Sequence, residues 1–318
     1  MEVSQTMATH EVAAPARARR RRTVRQDMRR EWSAYAFLSP GLILFTIFTL
    51  AALAFSFYLS FHSWSIIESY KPFVGMQNYK DALSDPDLGQ AVINTGYFTI
   101  GSIPLTMAAG LIIALMLNQQ IWGRAIFRAI FYLPVITPMV VSSIVWKFIY
   151  NGDYGILNYY LQNIGLVHHP ISWLSDPNLA MPAVIIMSVW QNLGFAMVIY
   201  LAGLQSIPQS YYEAARVDGA NSVQQLLRIT IPLLAPTTLF LVVTSVIGSF
   251  QVFTQIYIMT NGGPVGRTNT IMYFIYQNAF QFFKMGYASA LSVLLMLMLG
   301  VFTILQLRIY RPGSGGDL

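Results

Sequence analysis

Long apolar runs separated by short polar stretches dominate this chain. A helix needs about 20 apolar residues to cross roughly 30 Å of hydrocarbon. Six segments meet that length: 34–62, 91–117, 129–148, 179–204, 233–259 and 286–307. Prolines fall near several of their ends (Pro40, Pro134, Pro138, Pro182, Pro236), where a missing N–H costs least. Aromatic residues suited to a membrane interface flank them, among them Trp32, Trp64, Trp146, Tyr150 and Trp173. The stretch 270–284 interleaves Tyr276, Gln277, Asn278 and Gln281 with apolar residues. It predicts an amphipathic helix at the outer interface, with a seventh span as the alternative. The pattern describes an all-α polytopic membrane protein with six transmembrane helices. The loops 63–90 and 151–178, rich in Gly, Pro, Asn and Asp, are expected to be ordered caps.

Charge sets the orientation. Of the 318 residues 55% are hydrophobic and 10% charged, against roughly 25% charged in soluble domains. The formal charge of +6 is concentrated: eight arginines lie between Arg17 and Arg30, with Asp27 the one acid among them. Such a run suits nucleic acid, anionic lipid or control of topology, and an apolar segment following at once favours topology. With the N-terminus inside, inner segments hold fourteen Lys and Arg residues and outer ones five (Lys71, Lys80, Lys147, Arg267, Lys284). Both termini are therefore expected in the cytoplasm. Lys147 is expected to snorkel to the outer face. The expected organisation is a basic tail at 1–33, a transmembrane domain at 34–310 and a short tail at 311–318. The first apolar segment is too long, and too bulky at Phe57, Tyr58, Phe61 and Trp64, for a cleaved signal peptide, so a retained anchor is expected. Cysteine is absent, which excludes disulfides and thiol chemistry.

No span holds an acidic residue in its interior. Ion-coupled carriers place ionisable groups at mid-membrane, so an ion-coupled secondary carrier acting alone is the weaker reading; a scaffold without transport is a third. The chain also lacks a G-x-x-x-x-G-K-[ST] phosphate loop. Energy for transport has to come from a partner. His168, His169 and Asp176 make no metal site, because adjacent histidines point apart on regular structure.

Residues 206–236, between the fourth and fifth spans, read as two short helices meeting at Gly219. Ser210 and Glu213 have capping-box spacing, and Gly219 permits a left-handed turn or a close backbone approach. A second helix is expected over 222–229, with Pro232 stopping it. Taken alone, this is equally an interfacial helix on the bilayer. Glu213, Ala214, Ala215, Asp218, Gly219, Ile229, Ile231 and Pro232 together resemble the EAA loop of binding-protein-dependent ABC importer permeases, with Ile231 where the family has Leu. The form of 216–220 resembles the carbohydrate branch, which includes maltose and glycerol-phosphate permeases. Phe73, Gly75, Asn78 and Tyr79 resemble an outer-loop element of sugar permeases. Phe127, Arg128, Leu133 and Pro134 resemble the start of their next span, and Thr260, Asn261, Gly262, Gly263 and Pro264 match a loop after their fifth span.

The resemblance implies a type I ABC importer permease fold in a bacterial or archaeal cytoplasmic membrane. It implies a second homologous permease subunit, an ATP-binding cassette ATPase dimer that holds ATP and Mg, and an external sugar-binding protein. It also implies that 206–232 is a coupling loop docking on the ATPase and that Asn261–Pro264 faces the binding protein. No cofactor and no bond chemistry are expected in this chain.

A sugar path needs amides, hydroxyls and aromatic faces. Asn192 lies in the fourth span beside Trp190 and Gln191, and Gly194 is placed to let a ligand approach the backbone. In the fifth span Ser245 and Ser249 share one helical face and Gln251 and Gln255 another. Ser245 and Ser249 resemble sugar-contacting positions of maltose-type permeases. Gln251 and Val252 stand where that type has asparagines, so Val252 departs from the pattern. Such residues equally join helices to one another by hydrogen bonds.

Overall fold

The computed structural model describes residues 32–309; the arginine run and the C-terminal tail lie outside the described residues. Among the described residues there is no strand, and two isolated β-bridges pair His62 with Phe73 and Ser65 with Lys284. The chain divides into two compact units between Phe55 and Ser56. In the first, α1 (Trp32–Phe45) passes through π-helical Thr46–Ala51 into α2 (Ala52–Leu59), which crosses the boundary. Tyr35–Leu59 is a 25-residue apolar helix, long enough to span a bilayer.

The second unit contains α3 (Gln77–Ser84), α4 (Pro86–Asn118), α5 (Arg124–Ile136), α6 (Met139–Ile149), α7 (Ile156–Asn163) and α8 (Ala180–Ser206). After these come α9 (Gln209–Val217), α10 (Ser222–Gln225), α11 (Ile231–Leu233), α12 (Ala235–Phe250), α13 (Ile271–Tyr276) and α14 (Met285–Ile309). Asp85 caps α4 by accepting from the Asp87 N–H at 2.9 Å, and Pro86 occupies the first turn, where no donor is missed. Its 33 residues make α4 roughly 50 Å long at 1.5 Å per residue, so it continues well beyond the hydrocarbon. It packs along α8, and small residues permit the approach. A Cβ on Gly110 would meet the Ala196 Cβ at 2.7 Å, and one on Gly101 the Ile185 side chain at 2.7 Å.

The third and fifth spans are not single continuous helices. Residues 129–148 lie on α5 and α6, which meet at 97° across Thr137 and Pro138. Pro138 cannot donate to the Pro134 carbonyl, and it drives Thr137 to an extended ψ of 130°. In the fifth, α12 ends at Phe250; the chain turns at Gln251 and resumes as a short helix ending in π-helical Ile256–Thr260. Four described helices are long and apolar enough to cross a membrane, or six if each bent pair is one span.

The stretch 270–284 is not an amphipathic surface helix. α13 and π-helical Gln277–Gln281 bury Ile271, Tyr273, Phe274, Ile275, Asn278 and Ala279; Ile271, Phe274, Ile275 and Ala279 pack with Phe250, Leu291 and Leu295. Asn278 and Gln277 have partners inside the protein, while Gln281 at its end is exposed.

The element at 73–79 has a local physical role. Gly75 turns the chain at φ +57°, and the buried Asn78 donates to the Ser60 and His62 carbonyls at 2.8 and 3.0 Å. The Tyr79 hydroxyl meets Ser60 Oγ at 2.6 Å. The two Asn78 bonds satisfy carbonyls left open just past the end of α2.

Candidate functional site

Three places hold the residues singled out in the sequence, Gly194 excepted. At the loop between the fourth and fifth spans, α9 starts directly after Pro208, so Ser210 already lies inside the first turn and does not cap it with Glu213. The capping box forms instead on the next helix. Asn221 Oδ1 accepts from the Gln224 N–H, and Gln224 Oε1 from the Asn221 N–H, both at 2.9 Å. Gly219 takes the left-handed conformation at φ +79°. Its N–H donates to the Arg216 carbonyl and that of Ala220 to Ala215, at 3.1 and 2.9 Å, the pattern that closes a helix C-terminus. Of the two roles open to Gly219, the turn is the one used; a Cβ there would meet nothing within 4 Å.

The second helix is α10 only as far as Gln225, continues π-helically over Leu226–Thr230 and ends with α11. Pro232 sits within the first turn of α11 and does not stop it; the 61° bend to α12 comes at Leu234. The Tyr212 and Thr230 hydroxyls, 3.0 Å apart, tie the two halves of the loop together. Glu213, Ala214, Asp218, Gly219 and Pro232 are exposed, while Ala215 and Ile229 are half-buried. Val217 at the end of α9 is 88% exposed, and Val223 and Leu227 in the second half of the loop are exposed as well.

The second place is a cavity of about 430 Å³ between α4, α8, α12 and the turn at Gln251. Asn192, Ser245, Ser249, Gln251 and Val252 all line it. No ionisable side chain does. Asn192 Nδ2 donates to the Ser188 carbonyl at 2.8 Å, and the Ser249 hydroxyl to the Ser245 carbonyl at 2.7 Å. The one Ser249 donor is spent within its own helix, whereas the Asn192 amide keeps a second N–H and its oxygen. Gln255 donates to Ser188 Oγ at 3.3 Å, joining the fourth span to the fifth beside the cavity. Because the chain turns at Gln251, Gln251 and Gln255 do not share a face of one helix. Val252 is buried, and its carbonyl accepts from the Thr270 hydroxyl at 3.0 Å.

Gly194 is not at the cavity. It faces the backbone of α5, where a Cβ would collide with the Phe131 carbonyl, so its smallness serves helix approach and not ligand access. Gln191 also turns away from the cavity, donating to the Pro134 carbonyl and, at 2.8 Å, to that of Thr137. Ser102, Thr106, Ser188 and Thr244 line the cavity and were missed. The i, i+4 spacing that marked Ser245 and Ser249 also marks Ser102 and Thr106.

The third place is the turn after the fifth span. Asn261 is left-handed at φ 53° and exposed; Gly262, at φ 78°, is buried, with the Tyr273 ring 2.7 Å from where its Cβ would stand. Gly263 and Pro264 are half-buried. The Thr268 hydroxyl donates to the Gly263 carbonyl at 2.7 Å. Asn94 Nδ2 on α4 donates to the Gly266 and Asn269 carbonyls, both at 2.8 Å, clamping the turn. Lys147, exposed in the last turn of α6, donates its ammonium to the Ile258 carbonyl at 3.0 Å on the π-helical stretch before this turn.

Comparison with known proteins gives the family and the fold. Residues 106–313 match the family model described as binding-protein-dependent transport system inner membrane component. The trehalose/maltose transport system permease protein MalF of Thermococcus litoralis is 35% identical over 277 residues, 87% of this chain and 93% of that protein. The lactose transport system permease protein LacF of Rhizobium radiobacter is 34% identical over 290 residues, 89% of this chain and 96% of its own length. In structure, a chain of a bacterial ABC transporter involved in the import of the acidic polysaccharide alginate superposes with a TM-score of 0.79 at 25% identity, covering 92% of this chain and 99% of that one.

Proposed function

This chain belongs to the family of binding-protein-dependent transport system inner membrane components, and from that premise we propose that it forms half of the translocation pathway of an ATP-driven importer of neutral sugars. As a permease it is a transport component and not an enzyme. A second, homologous permease completes the pathway, an ATPase dimer inside holds ATP and Mg, and an external binding protein delivers the sugar. The N- and C-termini lie on the cytoplasmic side, where the loop at 206–232 meets the ATPases. Relatives named for trehalose, maltose and lactose transport support the substrate class.

The observation that carries the reading is the cavity of about 430 Å³, lined by the hydroxyls and amides of Ser188, Asn192, Thr244, Ser245 and Gln251 and by no ionisable group. Hydroxyl-rich, uncharged ligands are recognised in this way. A polyanion would require basic side chains, and none lines the cavity. The exposed apolar side chains of Val217, Val223 and Leu227 support a docked partner on the loop. ATP binding closes the ATPases, the loop carries that motion into the spans, and the cavity alternates between the two sides of the membrane.

The test is reconstitution of the full complex in proteoliposomes with its binding protein, followed by uptake of radiolabelled trehalose, maltose and lactose. Uptake of at least one of the three, dependent on ATP inside the ATPase compartment and on the binding protein, is expected. Uptake by this chain without ATPases, or uptake of none of the three, would overturn the proposal.

A further inference from the structure

The outer cap between the third and fourth spans lacks charge where a water-facing cap would carry it. From Tyr154 to Val167 there is no Asp, Glu, Lys, Arg or His, whereas the other outer cap, 63–90, holds six charged residues (Glu68, Lys71, Lys80, Asp81, Asp85 and Asp87). Within the uncharged stretch lies α7, and helical spacing decides what it shows. Ile156, Tyr159, Tyr160 and Ile164 recur at i, i+3, i+4 and i+8 and share one side. All four are more than half exposed, as are Tyr154 before the helix and Leu166 after it.

The opposite side is fastened to the protein. Asn158, only 4% exposed, donates to the Gly152 and Ile171 carbonyls at 3.0 and 2.9 Å and accepts from the Trp173 indole N–H at 2.9 Å. Leu157 packs against the core cluster that contains Tyr150 and Val184. A helix tied down on that side presents the tyrosines and isoleucines in a fixed direction.

An amphipathic helix on a soluble protein turns its apolar side inward. α7 reverses this, and the reversal identifies its surroundings. Water disfavours six uncharged apolar and aromatic side chains in one patch. The bilayer interface favours them, because tyrosine sets its ring among acyl chains and its hydroxyl among headgroups. The patch also continues the third span. The Tyr154 ring lies 6.3 Å from that of Phe148, which extends the exposed apolar row of Val141, Ile144 and Val145 on α6. A tight turn keeps α7 near the end of that span, with the Gly155 N–H donating to the Asn151 carbonyl at 3.0 Å.

We propose that α7 is seated in the outer leaflet at the level of the headgroups, with Ile156, Tyr159, Tyr160 and Ile164 turned toward the acyl chains. The cap is then a lipid-bound element, facing neither water nor a protein partner. This does not depend on which substrate the pathway carries.

The chain has no cysteine, so Tyr160→Cys and Ile164→Cys each accept a single environment-sensitive nitrobenzoxadiazole fluorophore, with Glu68→Cys in the charged cap as the aqueous reference. Each labelled chain is assembled into the full complex, recovered by size exclusion and placed in vesicles of phosphatidylethanolamine and phosphatidylglycerol. Quenching is read with iodide in the water and with lipids carrying a nitroxide at the headgroup. At both positions iodide quenching is expected to fall about threefold below that at Glu68, and lipid-nitroxide quenching to exceed it by a similar factor. Iodide quenching equal to that at Glu68 would overturn the proposal by placing the helix in water. Shielding from both quenchers would overturn it too, by placing a protein against the face. Neither readout involves transport, so failure here leaves the sugar reading untouched.

Discussion

Gln191 on α8 donates its side-chain amide to the Thr137 carbonyl at 2.8 Å, across the bend that interrupts the third span. The same nitrogen reaches the Pro134 carbonyl, which loses its i+4 donor because residue 138 is proline and keeps the Thr137 N–H at 3.2 Å. In hydrocarbon an under-satisfied carbonyl is costly, so a side chain from the fourth span adds a donor to the two carbonyls at the break of the third. Gln191→Leu is therefore expected to destabilise the protein by about 2 kcal/mol, from two lost membrane hydrogen bonds. Thermal unfolding in detergent checks this, and an unchanged midpoint would contradict it.

Gly194 lies one turn along on the same helix, against the α5 backbone. Gly194→Val is expected to push α5 away from α8 and to cost about 1–3 kcal/mol, the usual range for overpacking. The measurable outcome is reduced recovery of folded protein, while sugar affinity of what does fold stays unchanged. A selective loss of affinity with normal folding would return Gly194 to the ligand path.

At the cavity, Asn192→Leu and Gln251→Leu each remove an exposed amide from the wall without opening a buried bond to another span. Each is expected to reduce sugar uptake about tenfold, the loss of roughly one hydrogen bond of 1–1.5 kcal/mol, with the complex intact. Ser249→Ala is expected to do less, since the Ser249 hydroxyl donates to the Ser245 carbonyl of its own helix. Uptake kinetics on purified, reconstituted complexes distinguish these outcomes.

The turn at 261–269 is held from α4 by the two donors of Asn94. Asn94→Leu is expected to loosen the turn and to lower ATP hydrolysis stimulated by the binding protein severalfold, with basal hydrolysis unaltered. Equal loss of both rates would mean that Asn94 serves the fold as a whole.

Much of this architecture is legible from the order of residues. Apolar run length located the spans because lipid demands about 20 residues of any helix that crosses it, and α8 agrees with the expected 179–204 to within two residues at each end. The breaks were less legible. Pro138 was visible, yet whether a proline kinks or ends a helix depends on who satisfies the freed carbonyls, and here that is Gln191, more than fifty residues away. The end of α12 at Phe250 has no proline or apolar gap to announce it, since Gln251, Val252 and Phe253 read as a continuation. Alternation at 270–284 mimicked a surface helix because Asn278 and Gln277 have partners inside the protein, Asn278 donating to the Phe274 carbonyl at 3.0 Å. Five of the six pathway candidates do meet at one cavity. The exception, Gly194, shows that a glycine signals closeness without saying to what.

That the loop at 206–232 is where an ATPase engages the permease is tested most directly by a single cysteine. The chain has none of its own, so Val217→Cys, at an 88% exposed position, carries a unique thiol to which a photoactivatable cross-linker can be attached in the assembled complex. An adduct between this chain and the ATPase subunit, with the thiol protected from membrane-impermeant maleimide added outside intact cells, is the expected result. Labelling of the introduced thiol from outside, or illumination that yields no ATPase adduct in a complex that hydrolyses ATP, would contradict it.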